Sequence, residues 1–226
     1  MTTMPEDIPA RLDAIRTDIA RHARRCGRDA QSINLLCVSK TQPVELIESA
    51  LRHGERLFGE NRVQEAERKW PSLRDKYPDI ELHLIGPLQT NKVPEAVSLF
   101  DVIETVDRPR LAEALGREIR KAGKSPRLFV EVNVGMEPQK AGILPADVDS
   151  FLDSCRKIHG LQIDGLMCIP PHDQQASPYF ALLAQMAKRN GIKELSMGMT
   201  ADYPLAIQLG ATYVRLGTAI FGERTT

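Results

Sequence analysis

The stretch INLLCVSKTQPVELIESAL, residues 33–51, contains the two periodicities from which the fold follows. Ile33 to Ser39 is a short, nearly continuous apolar run, the pattern of a strand buried on both faces. The period then changes. Pro43 suits a first helical turn, where a missing N–H is tolerated, and Val44, Ile47 and Leu51 fall on one helical face. Strand and helix follow one another with no hairpin signal, so the next strand is expected to run parallel to the first through a right-handed crossover.

The alternation continues outward from this unit. Apolar runs at Leu57 to Gly59, Glu81 to Gly86, Val102 to Val106, Leu128 to Val134, Ile163 to Ile169, Glu194 to Met197 and Tyr213 to Gly217 predict seven further strands. Between them, Asp107 is placed to cap a helix carrying Leu111, Leu115 and Ile119, and Pro145 to open one carrying Val148, Leu152 and Cys155. Upstream, Ile8, Leu12, Ile15 and Ile19 mark an amphipathic helix ending near Cys26 and Gly27. Eight strand–helix units in a chain of 226 residues predict an α/β fold: a (β/α)8 TIM barrel with an additional N-terminal helix. An open doubly wound sheet is the alternative, because periodicity does not report closure. No polar linker, low-complexity tract or repeat divides the chain, so one domain over residues 1–226 is expected.

Composition narrows the partners. Thirty basic residues balance thirty acidic ones, which gives no electrostatic reason to expect nucleic acid or an anionic membrane. Any anionic ligand has to be held by local groups. The four cysteines are widely separated with no zinc-type spacing, no apolar stretch approaches membrane length, and no signal core precedes the first helix. A cytoplasmic protein is the expectation.

In a parallel barrel the loops at the C-terminal strand ends surround the site, and phosphate groups tend to sit after strands seven and eight. Those loops read SMGMTADY (196–203) and RLGTAIFG (215–222). Glycine admits an anion close to the backbone, while hydroxyls and helix-opening amides donate to it, so Thr200, Gly217 and Thr218 suit a phosphate. The ordinary alternatives are turn glycines at 198 and 217 and a helix cap at Thr200. Lys40 ends the first strand at the same mouth, either as a snorkelling surface lysine or as an amine for a Schiff base. Arg215 ends the eighth strand; it can keep that amine nucleophilic, face a ring nitrogen, or simply form a salt bridge. In FGENRVQE (58–65), Asn61 can bond a ligand oxygen or shape a turn, and Glu60, Arg62 and Glu65 read as a solvated ion-pair set. His83, in HLIGPLQTNK (83–92), reads as a hydrogen-bonded interior residue. Lys92 and Lys140 read as loop-anchoring or exposed charges able to bind an anion.

Together, VSKTQP, FGENRVQEA, HLIGPLQTNK, VNVGMEPQKAGI, GLMCIPP, SMGMTADY and VRLGTAIFG, in that order from about Ile8 to Arg224, resemble the pyridoxal-phosphate homeostasis protein family, single-domain relatives of the N-terminal barrel of alanine racemase. The resemblance implies pyridoxal 5'-phosphate (PLP) held by Lys40 as an internal aldimine, its phosphate against Thr200, Gly217 and Thr218, Arg215 at the pyridine nitrogen, and Asn61 lining the pocket. It also implies a role in vitamin B6 and amino-acid homeostasis, with PLP-dependent apoenzymes as recipients, and a monomer is expected. Two departures stand out. Thr200 replaces a customary serine, which preserves the hydroxyl, and Arg62 replaces a tyrosine found in some members, which removes any ring stacking there.

A positive guanidinium opposite the pyridine nitrogen disfavours its protonation and mutes the cofactor as an electron sink. Racemisation also needs a second base on the opposite face of the substrate carbon, which two-domain racemases take from a C-terminal domain. With the sequence reaching Thr226 shortly after the eighth strand, no such domain is expected. A cofactor holder is therefore the favoured expectation, and a low-rate racemase using Tyr203 or His172 is the second. A phosphosugar barrel using Lys40 in an aldolase-type Schiff base is the third.

Overall fold

A computed structural model describes residues 3–223. Its strands are β1 (Asn34–Val38), β2 (Leu57–Glu60), β3 (Glu81–Leu84), β4 (Val102–Val106), β5 (Arg127–Val132), β6 (Gly165–Cys168), β7 (Glu194–Ser196) and β8 (Tyr213–Leu216), each at a predicted position. All pair in parallel in chain order, and β1 pairs with both β2 and β8. The sheet closes, which decides between the barrel and the open sheet.

The helices are α1 (Asp7–Arg25), α2 (Val44–Arg52), α3 (Val63–Lys76), α4 (Val93–Leu99), α5 (Pro109–Ala122), α6 (Val148–Lys157), α7 (Ser177–Arg189), α8 (Tyr203–Gln208) and α9 (Thr218–Phe221). The helix after β8 is only four residues long. It leaves the seam between β8 and β1 with little cover. α1 fills that gap: Ile8, Leu12, Ile15, Ile19 and Ala23 are buried, and the helix packs against α2, α8 and α9.

Three helix starts differ from the sequence expectation. Pro43 is the N-cap of α2 rather than its first residue, and Val44 faces outward while Leu46, Ile47, Ala50 and Leu51 form the buried face. Asp107 caps nothing, because its carboxylate pairs with the guanidinium of Arg108, and Pro109 opens α5. Pro145 lies in a separate turn, closed by the Asp147 amide donating to the Leu144 carbonyl at 2.9 Å, before α6 begins at Val148.

Alternation along each strand separates two apolar layers. Leu35, Cys37, Phe58, Leu82, Leu84, Leu128, Val130 and Leu166 point outward into the large core under the helices. Val102, Phe129, Met167 and Tyr213 form a small apolar layer of their own within the lumen, with Leu57 against it. Gly165 makes room for it, since a Cβ there would come within 2.5 Å of the Phe129 ring. Below this layer Arg127 donates to Glu81 at 2.6 Å, to Glu194 at 3.1 Å and to the Tyr213 hydroxyl at 2.9 Å, plugging the N-terminal end with ion pairs. Among the described residues, no helix is long and apolar enough to cross a membrane, and no group of three or more His, Cys, Asp or Glu side chains is arranged to hold a metal ion.

Candidate functional site

Because all eight strands run the same way, their C-terminal ends share one mouth, and the six sequence-predicted site residues lie there on the contiguous strands β7, β8, β1 and β2. Pairing of Cys37 with Leu216 brings Val38 beside Gly217, and a Cβ on Gly217 would stand 3.2 Å from the Val38 carbonyl oxygen. Val38 in turn pairs with Gly59, so Lys40 and Asn61 each follow two residues beyond that pair. On the other side the Arg215 amide donates to the Gly198 carbonyl at 2.9 Å, joining the loop that carries Thr200 to β8.

Lys40 has the parity of Leu36 and Val38, the residues of β1 that alternate with the outward Leu35 and Cys37, and it is half-buried. The residue after it, Thr41, has φ 62°, a left-handed conformation uncommon for a β-branched side chain. Thr200 and Thr218 are exposed at the rim, and Gly217 is the N-cap of α9, whose first amides lack intrahelical acceptors, as at every helix start. Thr200 does not cap α8; Asp202 stands at that position and accepts from the Met199 amide at 2.6 Å.

Arg215 is buried beneath the rim. Its guanidinium donates to the Ser196 hydroxyl at 2.8 Å and to the Cys168 carbonyl at 2.9 Å, so its hydrogen-bonded partners are neutral rather than the carboxylate of a salt bridge. Two lumen carboxylates feel its charge from β4 and β5. Burial, reinforced by Asp107, pushes the Glu131 carboxyl up to about 7, although Arg215 pulls the other way. Burial also acts to raise Glu104, but the hydrogen bond from His83 and the nearby Arg215 hold it below the usual carboxylate range. His83 is a satisfied interior residue, 2.6 Å from Glu104 and 2.9 Å from Glu81.

Asn61 also lines a cleft of about 590 Å³ with Arg62, Gln64, Gln89 and Lys92, opening beside the mouth. Lys92 pairs with Glu95 at 2.8 Å; Lys140 pairs with Glu137 at 2.6 Å and donates to the Pro170 carbonyl at 3.2 Å. Both anchor loops. The ion-pair set expected from FGENRVQE is not solvated. Glu60 is fully buried on the outer face of the sheet, bonded to the Ser39 hydroxyl at 2.8 Å and the Trp70 indole at 3.2 Å, and Lys69 lies between it and Glu65.

Neither candidate second base is held at the lumen. The Tyr203 hydroxyl donates to Asp18 of α1, and burial together with that bond pushes the phenol well above its usual range. His172 is almost wholly exposed beside Asp173. Burial likewise pushes the Cys155 and Cys168 thiols up to about 11 and about 12, which makes them poor nucleophiles.

A sequence model of the alanine racemase N-terminal domain matches residues 10–225. The pyridoxal phosphate homeostasis protein of Escherichia coli K12 is 38% identical over 228 residues, covering 96% of this chain and 97% of that one. The chain belongs to the pyridoxal phosphate homeostasis protein family. Among solved structures, PipY of Synechococcus elongatus PCC7942 with PLP bound is 38% identical, covers 95% of this chain and 100% of its own, and superposes with a TM-score of 0.82. The barrel of this homeostasis-family chain also matches an alanine racemase of Clostridium difficile at a TM-score of 0.69 and 13% identity, which shows a common fold. This chain covers 92% of itself but only 56% of the racemase.

Proposed function

We propose that this chain binds pyridoxal 5'-phosphate and acts in vitamin B6 and amino-acid homeostasis by holding and releasing the cofactor, without efficient racemase activity. One observation carries the reading: Lys40 follows β1 at the same mouth as the glycine- and threonine-bearing ends of β7 and β8, on neighbouring strands of the barrel. The names of the relatives and the PLP-bound PipY structure support the same ligand.

The donor set fits the group. Neighbouring strands lie about 4.8 Å apart, so an amine on β1 and a phosphate cradle on β8 are within the span of one small aromatic ring. In this reading Thr200 and Thr218 donate hydroxyls to the phosphate, and Gly217, where a side chain would crowd Val38, lets the backbone approach it. When bound, the cofactor supplies an aldehyde that condenses with an amine, releasing water, and a ring that can take up electron density. Lys40 supplies that amine. Arg215, a permanent cation, would face the ring nitrogen and keep a proton off it, while Asn61 would line the pocket.

The carrier reading is supported by the two candidate second bases, one engaged with α1 and the other exposed to solvent. The proposal extends to a monomer in the reducing cytoplasm, with PLP-dependent apoenzymes as recipients; its cysteines, Cys26, Cys37, Cys155 and Cys168, are all free. Purified protein mixed with PLP should develop a visible absorption band, and borohydride reduction should fix the label on the Lys40 peptide. Lys40→Ala should abolish both, and persistence of the band in that variant would reject the attachment site. Racemisation or α-proton exchange of amino acids at ordinary enzyme rates would overturn the carrier reading.

A further inference from the structure

We propose that Glu65 and Lys69 are positioning residues for Lys40, clamping the strand end from behind the barrel wall so that the amine stays aimed into the mouth. The inference rests on the reading of Lys40 as the attachment amine.

The observation that calls for such a device is Thr41. A β-branched residue at φ 62° is disfavoured by its own Cβ, and such conformations persist only where the surroundings over-determine them. The surroundings here are charged. The Thr41 amide donates to Glu65 Oε1 at 2.6 Å, and Lys69 Nζ donates to the same oxygen at 2.5 Å. Lys69 Nζ also donates to the Ser39 carbonyl at 3.0 Å and to Glu60 Oε1 at 3.3 Å, so its three protons meet three acceptors. Glu60 then receives the Ser39 hydroxyl, closing the circuit.

The geometry explains why this grip serves Lys40 in particular. Ser39 faces α3 and is held through both its carbonyl and its hydroxyl, while Thr41 is held through its amide. The residues on either side of Lys40 are therefore fixed by groups on the far face of the sheet. Carried past the end of β1, the strand's alternation gives Lys40 the parity opposite to Ser39, and in this proposal that parity turns it toward the lumen. The side chain of Lys69 is 12% exposed and that of Glu60 is fully buried, so water competes little for the bonds that Lys69 makes, while the Thr41–Glu65 bond lies at the surface. Burial acts to raise the Glu65 carboxyl, but Lys69 and the Thr41 amide outweigh it and hold the group below its ordinary range, so it stays charged near neutrality.

The test compares wild type, Glu65→Ala, Glu65→Gln, Thr41→Gly and the Glu65→Ala/Thr41→Gly pair, each stripped of cofactor and mixed rapidly with PLP. The readouts are the rate of growth of the visible band and the position of the borohydride-fixed label. Glu65→Ala should label Lys40 about tenfold more slowly, since roughly the strain of one left-handed residue is released. Glu65→Gln keeps the shape and one acceptor oxygen and should fall between it and wild type; it carries the test if Glu65→Ala does not fold. Glycine adopts positive φ without a clamp, so Thr41→Gly should match wild type and should restore most of the rate to Glu65→Ala. Unchanged rates in both Glu65 variants would overturn the inference. So would a slow Glu65→Ala that Thr41→Gly fails to rescue, because the carboxylate would then act elsewhere. No label on Lys40 in wild type would instead sink the attachment reading.

Discussion

Glu131 occupies the lumen face of β5, where burial and Asp107 push its carboxyl up to about 7 against the pull of Arg215. In the unfolded chain it titrates near 4.5, so between these values the folded state binds more protons than the unfolded one. Stability then falls as pH rises through that window and stays lowered above it. Glu131→Gln removes the titration. The variant should match wild type at low pH and gain on the order of 2 kcal/mol above neutrality. Urea unfolding of the cofactor-free protein at about pH 5 and about pH 8 checks this, with the larger gain expected at the higher pH. At this scale the sequence was informative where a charged residue ended an apolar run, as at Lys40 and Arg215. It was uninformative where a charge is buried by a distant partner. Nothing local distinguishes Glu60 from a surface glutamate, because Ser39, Lys69 and Trp70 reach it only after β1, β2 and α3 have packed. The left-handed turn at Thr41 was equally hidden, since no glycine marks it.

Among the elements, the loop from β7 to α8 depends closely on one residue. Gly198 has φ 93°, and a Cβ there would stand 2.5 Å from the Ala206 Cβ and 3.0 Å from the Tyr203 Cα. Gly198→Ala therefore forces α8 away from the strand end and pulls on the Gly198 carbonyl that receives the Arg215 amide. A loss of about 2–4 kcal/mol in stability is expected, accompanied by weaker binding of inorganic phosphate as Thr200 shifts. Thermal unfolding and a phosphate titration monitor the two effects separately. The elements themselves were legible because buried parallel strands and amphipathic helices have different periods. Their starts were less so. Asp107 looks like a cap from its position, yet Arg108 takes its carboxylate, and Pro145 belongs to a turn that a helical period does not reveal.

For the whole molecule, closure and polarity are linked. The alternation predicted eight parallel strands but carried no information on whether β8 meets β1; that contact follows from strand tilt and from α1 covering the seam in place of a long final helix. Closure then traps His83 and Glu104 in the lumen, where their 2.6 Å contact joins the mouth, through Ser196 and Arg215, to the ion-paired floor at Glu81 and Arg127. His83→Ala should cost on the order of 3–5 kcal/mol, because it leaves the Glu104 charge buried without its partner. The double variant His83→Leu/Glu104→Leu removes both charges and should lose less than His83→Ala alone. The pH dependence has a definite sign. Burial acts to lower the His83 pKa, but Glu104 and Glu81 raise it above 6.5, so its contribution is full below 6.5 and lost as pH rises through the raised value. The Glu104 pKa is held below 4.5, so its contribution is full above 4.5 and lost as pH falls through the lowered value. The difference in unfolding free energy between wild type and the double variant should therefore peak between about pH 4.5 and 6.5 and decline on both sides. Denaturant unfolding from well below pH 4.5 to well above pH 6.5 measures it, and a profile flat over that whole span would mean that the pair does not titrate with folding.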